Sequence, residues 1–147
     1  MTAVLPQRPA PPVAARGLGA LRAPALVAAG AVAVTTVVAV VDPNQPGHYP
    51  TCPFLAATGY YCPGCGSLRA LHDLAHGDPA GALARNPFMV LAALGLLVAF
   101  VLWTRRLWRG RARSWVAPPA LLYGLLTLVL AFWVLRNVPG WTWLSPA

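Results

Sequence analysis

The chain has 147 residues, 58% of them hydrophobic and 10% charged, where a soluble domain is roughly 25% charged. That deficit, with a mean hydropathy of +0.61, leaves too little polar surface to cover apolar helices in water and excludes an ordinary soluble globular protein. All eleven basic residues are Arg, set against three acids for a net charge of +8. They gather beside apolar runs, where topology and anionic headgroups account for them, so nucleic acid is not an expected partner.

Residues 1–23 read as a disordered tail, because Pro6, Pro9, Pro11 and Pro12 interrupt regular hydrogen bonding. Residues 24–41 form the first uncharged apolar run, close to the length of about 17–25 residues that crosses a hydrocarbon core about 30 Å thick. The run is longer than the core of about 7–15 residues in a signal peptide. An uncleaved anchor is expected, with cleavage after a small residue such as Ala39 as the alternative. Ala25, Ala29 and Ala33 fall four apart on it, the spacing of a small-residue ridge, although Ala is common throughout the run.

The connector 42–86 opens with Asp42-Pro43-Asn44-Gln45-Pro46-Gly47, which cannot continue a helix. All three cysteines follow within residues 52–66: Cys52-Pro53-Phe54, then Cys62-Pro63-Gly64-Cys65-Gly66. Phe54, Leu55, Tyr60 and Tyr61 are too apolar for a solvated loop and place this stretch at a membrane surface or against the spans. The spacing from Gly66 to His76 predicts a short amphipathic helix, with Leu68, Leu71, Leu74 and Ala75 on one face, Ser67 as N-cap and Gly77 as stop. It is too short to span and should lie along the interface or dip in and return. A second short helix starts at Asp78-Pro79, with Asp78 as its cap, and ends near Asn86-Pro87.

Residues 87–103 are the second apolar run, 104–115 an Arg-rich connector and 116–135 the third run; 136–147 form a tail. Pro118-Pro119 sits in the first turns of the third run, where proline is best tolerated. Trp103, Trp108 and Trp115 cluster at one boundary, and Trp133, Trp141 and Trp143 at or beyond the other, as in an aromatic belt. Arg8, Arg16 and Arg22 precede the first run, and Arg105, Arg106, Arg109, Arg111 and Arg113 lie between the second and third. Arg near span ends favours the cytoplasm. The expected protein is therefore a multi-pass cell-membrane protein with a cytoplasmic amino terminus, the cysteine connector and carboxyl-terminal tail outside, and membrane lipid as its contact.

Three readings of the cysteines compete. As a metal site, Cys62 and Cys65 form a knuckle whose glycines let the chain turn, with Cys52 as third ligand and His48, His72 or His76 as fourth; zinc is the expected ion. As a redox site, Cys62 and Cys65 stand ahead of a helix N-terminus that lowers a thiol pKa, with Cys52 as resolving thiol. As a structural bridge, Cys52 joined to Cys62 or Cys65 would pin a loop at an oxidising outer face. Arg69 and Arg85 suit capping or snorkelling. The sequence shows no Ser-His-Asp arrangement, phosphate loop or HExxH motif.

Cys52-Pro53-Phe54, Thr58-Gly59, Cys62-Pro63-Gly64-Cys65-Gly66, Arg69-Ala70, Leu74, Gly77, Ala82 and Asn86-Pro87 together resemble the signature of domain-of-unknown-function family 2752. The family consists of small bacterial membrane proteins, so the resemblance implies a membrane location and marks Cys62, Cys65, Arg69, Asn86 and Pro87 as recurrent positions. It implies no activity. This chain departs at Leu68, where the family usually carries Thr, and Ser67 is the neighbouring hydroxyl.

The expected fold is an all-α integral membrane protein with three transmembrane helices and one or two short interfacial or re-entrant helices between the first and second. The expected role is a non-enzymatic structural or interaction module that binds lipid or another membrane protein through its cysteine turn. A thiol–disulfide redox enzyme or accessory, or a zinc-binding membrane protein, is the alternative.

Overall fold

The computed structural model describes residues 17–111, 116–141 and 144. Residues 1–16 of the expected tail, and Arg113, Trp115 and Trp143, lie outside the described residues, while residues 17–23 of that tail are helical rather than disordered. Among those described there are six α-helices and no strand: α1 (Arg22–Val40, preceded by a 3-10 turn at Gly17–Leu21), α2 (Pro53–Thr58), α3 (Ser67–Ala75), α4 (Pro79–Arg85), α5 (Pro87–Trp108) and α6 (Pro119–Leu135).

Proline opens α2, α4, α5 and α6, where its missing N–H removes nothing and its fixed φ suits the first turn. Asp78 caps α4 by accepting from the Gly81 N–H at 2.8 Å, as expected. Asn86 ends α4 in extended backbone and caps α5, accepting from the Met89 N–H at 3.0 Å. Beyond Trp103, α5 continues to Trp108 with Arg105 and Arg106 in its last turn, where cations favour the negative end of the helix dipole.

The connector differs from expectation in two ways. It holds three short helices, because Pro53 starts a six-residue turn, α2, that ends at Gly59 with φ +75°. Ser67 is not a cap but the first residue of α3. Gly66 holds the cap position at φ +82°, a left-handed conformation that glycine adopts without steric cost. The buried face of α3 also centres on Ala70, which is fully buried, while Leu68 is exposed and lines a cavity. A methyl side chain there lets α3 pack closely against α1, α4 and α5.

Two helical stretches are long and apolar enough to cross a membrane: Leu18–Val40, with 23 residues and a mean hydropathy of 2.1, and Pro87–Trp108, with 22 residues and 2.3. The third apolar helix, α6, has 17 residues. These helices expose their apolar side chains; Leu96 is 72% and Leu26 74% accessible. Ala25, Ala29 and Ala33 lie on an exposed face of α1. Most buried residues gather at one end instead: Val38, Cys65, Ala70 and Ala82, with two polar side chains, Asn86 and Arg136, while Pro24 is buried at the start of α1.

Contacts at the helix ends set the directions of the chain. Leu21 lies with Thr104, Arg105, Trp108 and Arg109 around one hollow, so α1 starts where α5 ends. Phe88, at the start of α5, stacks on Phe132, near the end of α6, at 5.5 Å between ring centroids. The three long helices therefore alternate in direction. Arg22, Arg105, Arg106 and Arg109 mark one end, and the cysteine turn marks the other.

Candidate functional site

The cysteine turn is a tight reversal. The Cys65 N–H donates to the Cys62 carbonyl at 3.1 Å, the Ser67 N–H donates to Gly64 at 3.0 Å, and α3 begins at once. This folding back brings Cys62 Sγ to 3.1 Å from Cys65 Sγ and 3.5 Å from Cys52 Sγ. All three sulfurs lie within 4.8 Å of one another, and none is bonded to another. Backbone N–H groups also converge on sulfur: Cys62 N–H donates to Cys65 Sγ at 3.2 Å, and the Leu55 N–H at the start of α2 reaches Cys52.

The three thiols have different electrostatics. Hydrogen bonding from Leu55 holds the Cys52 thiol below its ordinary value. Burial pushes Cys65 up to about 12, with the Cys62 thiol beside it adding to the rise. Cys65 is therefore a neutral thiol at physiological pH unless a cation compensates its sulfur.

The floor of the turn is built by polar side chains from distant parts of the chain. Asn86, fully buried, donates from Nδ2 to the Pro63 carbonyl at 3.0 Å, the Cys65 carbonyl at 3.1 Å and Ser67 Oγ at 3.2 Å. Arg136, 1% accessible, donates from Nη1 to the Cys62 and Pro63 carbonyls at 3.0 and 3.2 Å, and from Nη2 to the Cys65 carbonyl at 3.1 Å. Asn137 brackets Tyr61, accepting from its N–H at 2.8 Å and donating to its carbonyl at 2.9 Å. Phe132 lies 4.9 Å and Tyr61 5.9 Å from the Arg136 guanidinium carbon. Burial draws the Arg136 pKa below its ordinary value, and the neighbouring cysteines oppose that fall.

Arg136 and Asn137 escaped the sequence reading, which placed both in a carboxyl-terminal tail. An Arg just beyond an apolar run ordinarily reads as an interfacial charge. Asn86 was singled out only through the family signature; here it both caps α5 and fastens the turn. Pro63 supplies a carbonyl to both Asn86 and Arg136. Gly64 sits where an added Cβ would meet Cys62 Sγ at 3.8 Å, an ordinary contact, so space alone does not demand glycine. Pro87 begins α5. Arg69 lines the cavity above the turn with Cys52, Cys65 and Tyr61.

The histidines gather elsewhere and do not join the sulfur group. His48 Nδ1 lies 2.9 Å from the Asp42 carbonyl. His72 Nδ1 lies 2.9 Å from the Val38 carbonyl at the end of α1, with its Nε2 3.7 Å from Asp42 Oδ1. His76 Nδ1 lies 2.8 Å from the His72 carbonyl, and the two rings are 4.3 Å apart. The site that sequence spacing offered as three Cys plus one His thus separates into a sulfur triangle and a histidine clasp on α1. Asp73 pairs with Arg85 at 3.7 Å.

Comparison with curated proteins returns no match. Comparison with solved structures returns none either. Residues 52–100 match the family model described as "Protein of unknown function (DUF2752)", the family that the cysteine turn, Arg69 and Asn86-Pro87 resemble.

Proposed function

We propose that this protein is a non-catalytic membrane module: three membrane-crossing helices whose ends are gathered, at the outer face, onto a rigid cysteine-turn cap that meets lipid headgroups or another membrane protein. One observation carries the reading. The turn is fastened at once to the start of α5 by Asn86 and to the end of α6 by Arg136 and Asn137, while α3, which grows out of it, reaches α1 through His72 and Val38. An arrangement that invests two buried polar side chains in backbone carbonyls holds a shape.

Three crossings are favoured by the alternation of α1, α5 and α6 and by the meeting of α5 and α6 at the turn. At about 1.5 Å per residue, α6 extends roughly 25 Å, short of the core of about 30 Å, and flanking residues can make up such a deficit. Arg22, Arg105, Arg106 and Arg109 lie at the end opposite the turn, which favours a cytoplasmic position for that end and an outer position for the turn. Lipid is the natural cover for apolar side chains as accessible as Leu94, Leu96 and Leu122. Nothing in the site favours thiol exchange over a holding role.

The test is topological. The intact protein should remain with membranes after carbonate washing. After reduction and treatment with a metal chelator, a membrane-impermeant maleimide should label Cys52 in whole cells. Recovery in the soluble fraction, or labelling only after the membrane is opened, would refute the proposal.

A further inference from the structure

The proposed module accounts for the cap but leaves a charge unexplained. Arg136 is 1% accessible, and its single positive charge has carbonyl oxygens for hydrogen-bond acceptors and aromatic rings beside it, with no carboxylate against it among the described residues. The chain has three acidic side chains, and each is engaged elsewhere: Asp42 with Asn44 and His72, Asp73 with Arg85, Asp78 with the Gly81 N–H. An uncompensated buried ion costs several kcal/mol. The groups beside it that can become anionic are Cys62, Cys65 and Tyr61, and of these the two thiols lie in one sulfur cluster with Cys52.

A disulfide does not resolve this, because a bridge between any two of the sulfurs is neutral and leaves the third thiol over. Three thiolates around a divalent cation carry one net negative charge, which matches the guanidinium. Size agrees with charge. Zinc–sulfur bonds of about 2.3 Å in a tetrahedron place sulfurs about 3.8 Å apart. The observed separations of 3.1 and 3.5 Å fall short of that edge and all three sulfurs lie within 4.8 Å, so a slight opening of the turn admits the ion. The N–H groups already directed at Cys65 and Cys52 suit thiolate acceptors.

We propose that Cys52, Cys62 and Cys65 bind one Zn²⁺ as a three-thiolate site, with buried Arg136 as its charge partner and a fourth coordination position open to the cavity. Binding exchanges three S–H bonds for three Zn–S bonds and releases three protons to solvent, with no change of oxidation state. Cys52 and Cys65 line a cavity of about 670 Å³ together with Tyr61, Gly66, Ser67 and Arg69. The fourth position opens on this cavity and takes water or a small anion, because the histidines that could have closed it are held near α1. Three protein ligands with one exchangeable position is the arrangement of zinc sites that bind an outside ligand, in contrast to the closed four-ligand structural sites.

The inference is independent of the number of membrane crossings. Full-length protein, purified in detergent under argon with reductant, is analysed for metal and then titrated with Co²⁺ after chelation. The expected result is one zinc per chain, no free thiol until denaturation, and a Co²⁺ complex with sulfur-to-cobalt charge-transfer absorption that cyanide or azide shifts through the open position. Cys52→Ser, Cys62→Ser and Cys65→Ser should each abolish stoichiometric binding. His48→Ala, His72→Ala and His76→Ala should leave it unchanged. Arg136→Met should weaken affinity about 10- to 100-fold, as loss of a group that supports metal ligands does, while Arg136→Lys, which keeps the charge, should recover part of it. Folding of each variant is followed by helical circular dichroism, so that loss of metal by an intact helical protein is separated from collapse. A disulfide in the argon-purified protein, copper in place of zinc, binding lost in a histidine variant, or three reactive thiols with no cobalt spectrum would each overturn the site. A membrane-resident protein without metal would sink this inference alone; a zinc-loaded protein in the soluble fraction would sink only the membrane module.

Discussion

Asn86 shows how much one side chain does in this protein. Its oxygen caps α5, and its nitrogen serves two carbonyls and a hydroxyl around the turn. Asn86→Asp keeps the shape and the cap but replaces the donor with an oxygen facing two carbonyls. Both carbonyls keep their Arg136 donors, so the expected cost of about 1–3 kcal/mol comes from the new buried oxygen that meets acceptors in place of a donor, read as a lower thermal midpoint in detergent. A midpoint unchanged by this substitution would show that the nitrogen holds nothing. The cysteines differ just as sharply once metal and oxidant are removed. Cys52 is held low by the Leu55 N–H, while burial pushes Cys65 up to about 12. Against a thiol near the ordinary value of about 8.5, the thiolate fraction of Cys65 is lower by about three orders of magnitude, and greater intrinsic nucleophilicity returns about half of that on a logarithmic scale. Iodoacetamide at neutral pH should therefore alkylate Cys52 at least about 30-fold faster than Cys65, as followed by peptide mass spectrometry.

The helices obey signals of unequal visibility. Pro87 after Asn86 and a charge-free run made α5 legible from the residues alone as far as Trp103, although the helix runs on through Arg105 and Arg106 to Trp108, and Asp78-Pro79 did the same for the start of α4. The cap of α4 is correspondingly easy to test: Asp78→Ala should cost about 1 kcal/mol, visible as earlier thermal loss of ellipticity. The turn at the end of α1 is tied by Asp42, which accepts from the N–H and side-chain amide of Asn44, both at 2.8 Å. Those bonds lower its carboxyl pKa in the folded protein. Their contribution is present above the ordinary carboxyl value of about 3.9 and fades as pH falls through the lower folded value. Asp42→Asn should flatten that acid limb of the stability curve. By contrast α2 was hidden, because six residues offer no periodicity to read. The burial of Ala70 was hidden because leucine pattern points to Leu68 and Leu71, whereas close helix approach selects the smallest side chain. Arg136 was hidden for a different reason: sequence position gives the end of a span, and only the fold shows that its guanidinium turns inward to carbonyls 71 to 74 residues earlier.

At the scale of the molecule, two polar side chains are fully buried while many large apolar ones are exposed. The long helices present leucine and valine outward, while Asn86 and Arg136 lie inside beneath the turn. The proposed orientation makes a direct prediction. In a chain lacking its own cysteines, Ser114→Cys in the Arg-rich connector should resist an impermeant maleimide in whole cells and react once the membrane is opened. Reaction in whole cells would invert the proposed topology. The fastening of the turn has one more consequence. Cys62 and Cys65 are synthesised long before the guanidinium that underlies them, so a half-made polypeptide carries its sulfurs without their support. A clasping step must then follow synthesis of α6, and until that helix is in place the nascent thiols stand open to oxidants and to chaperones.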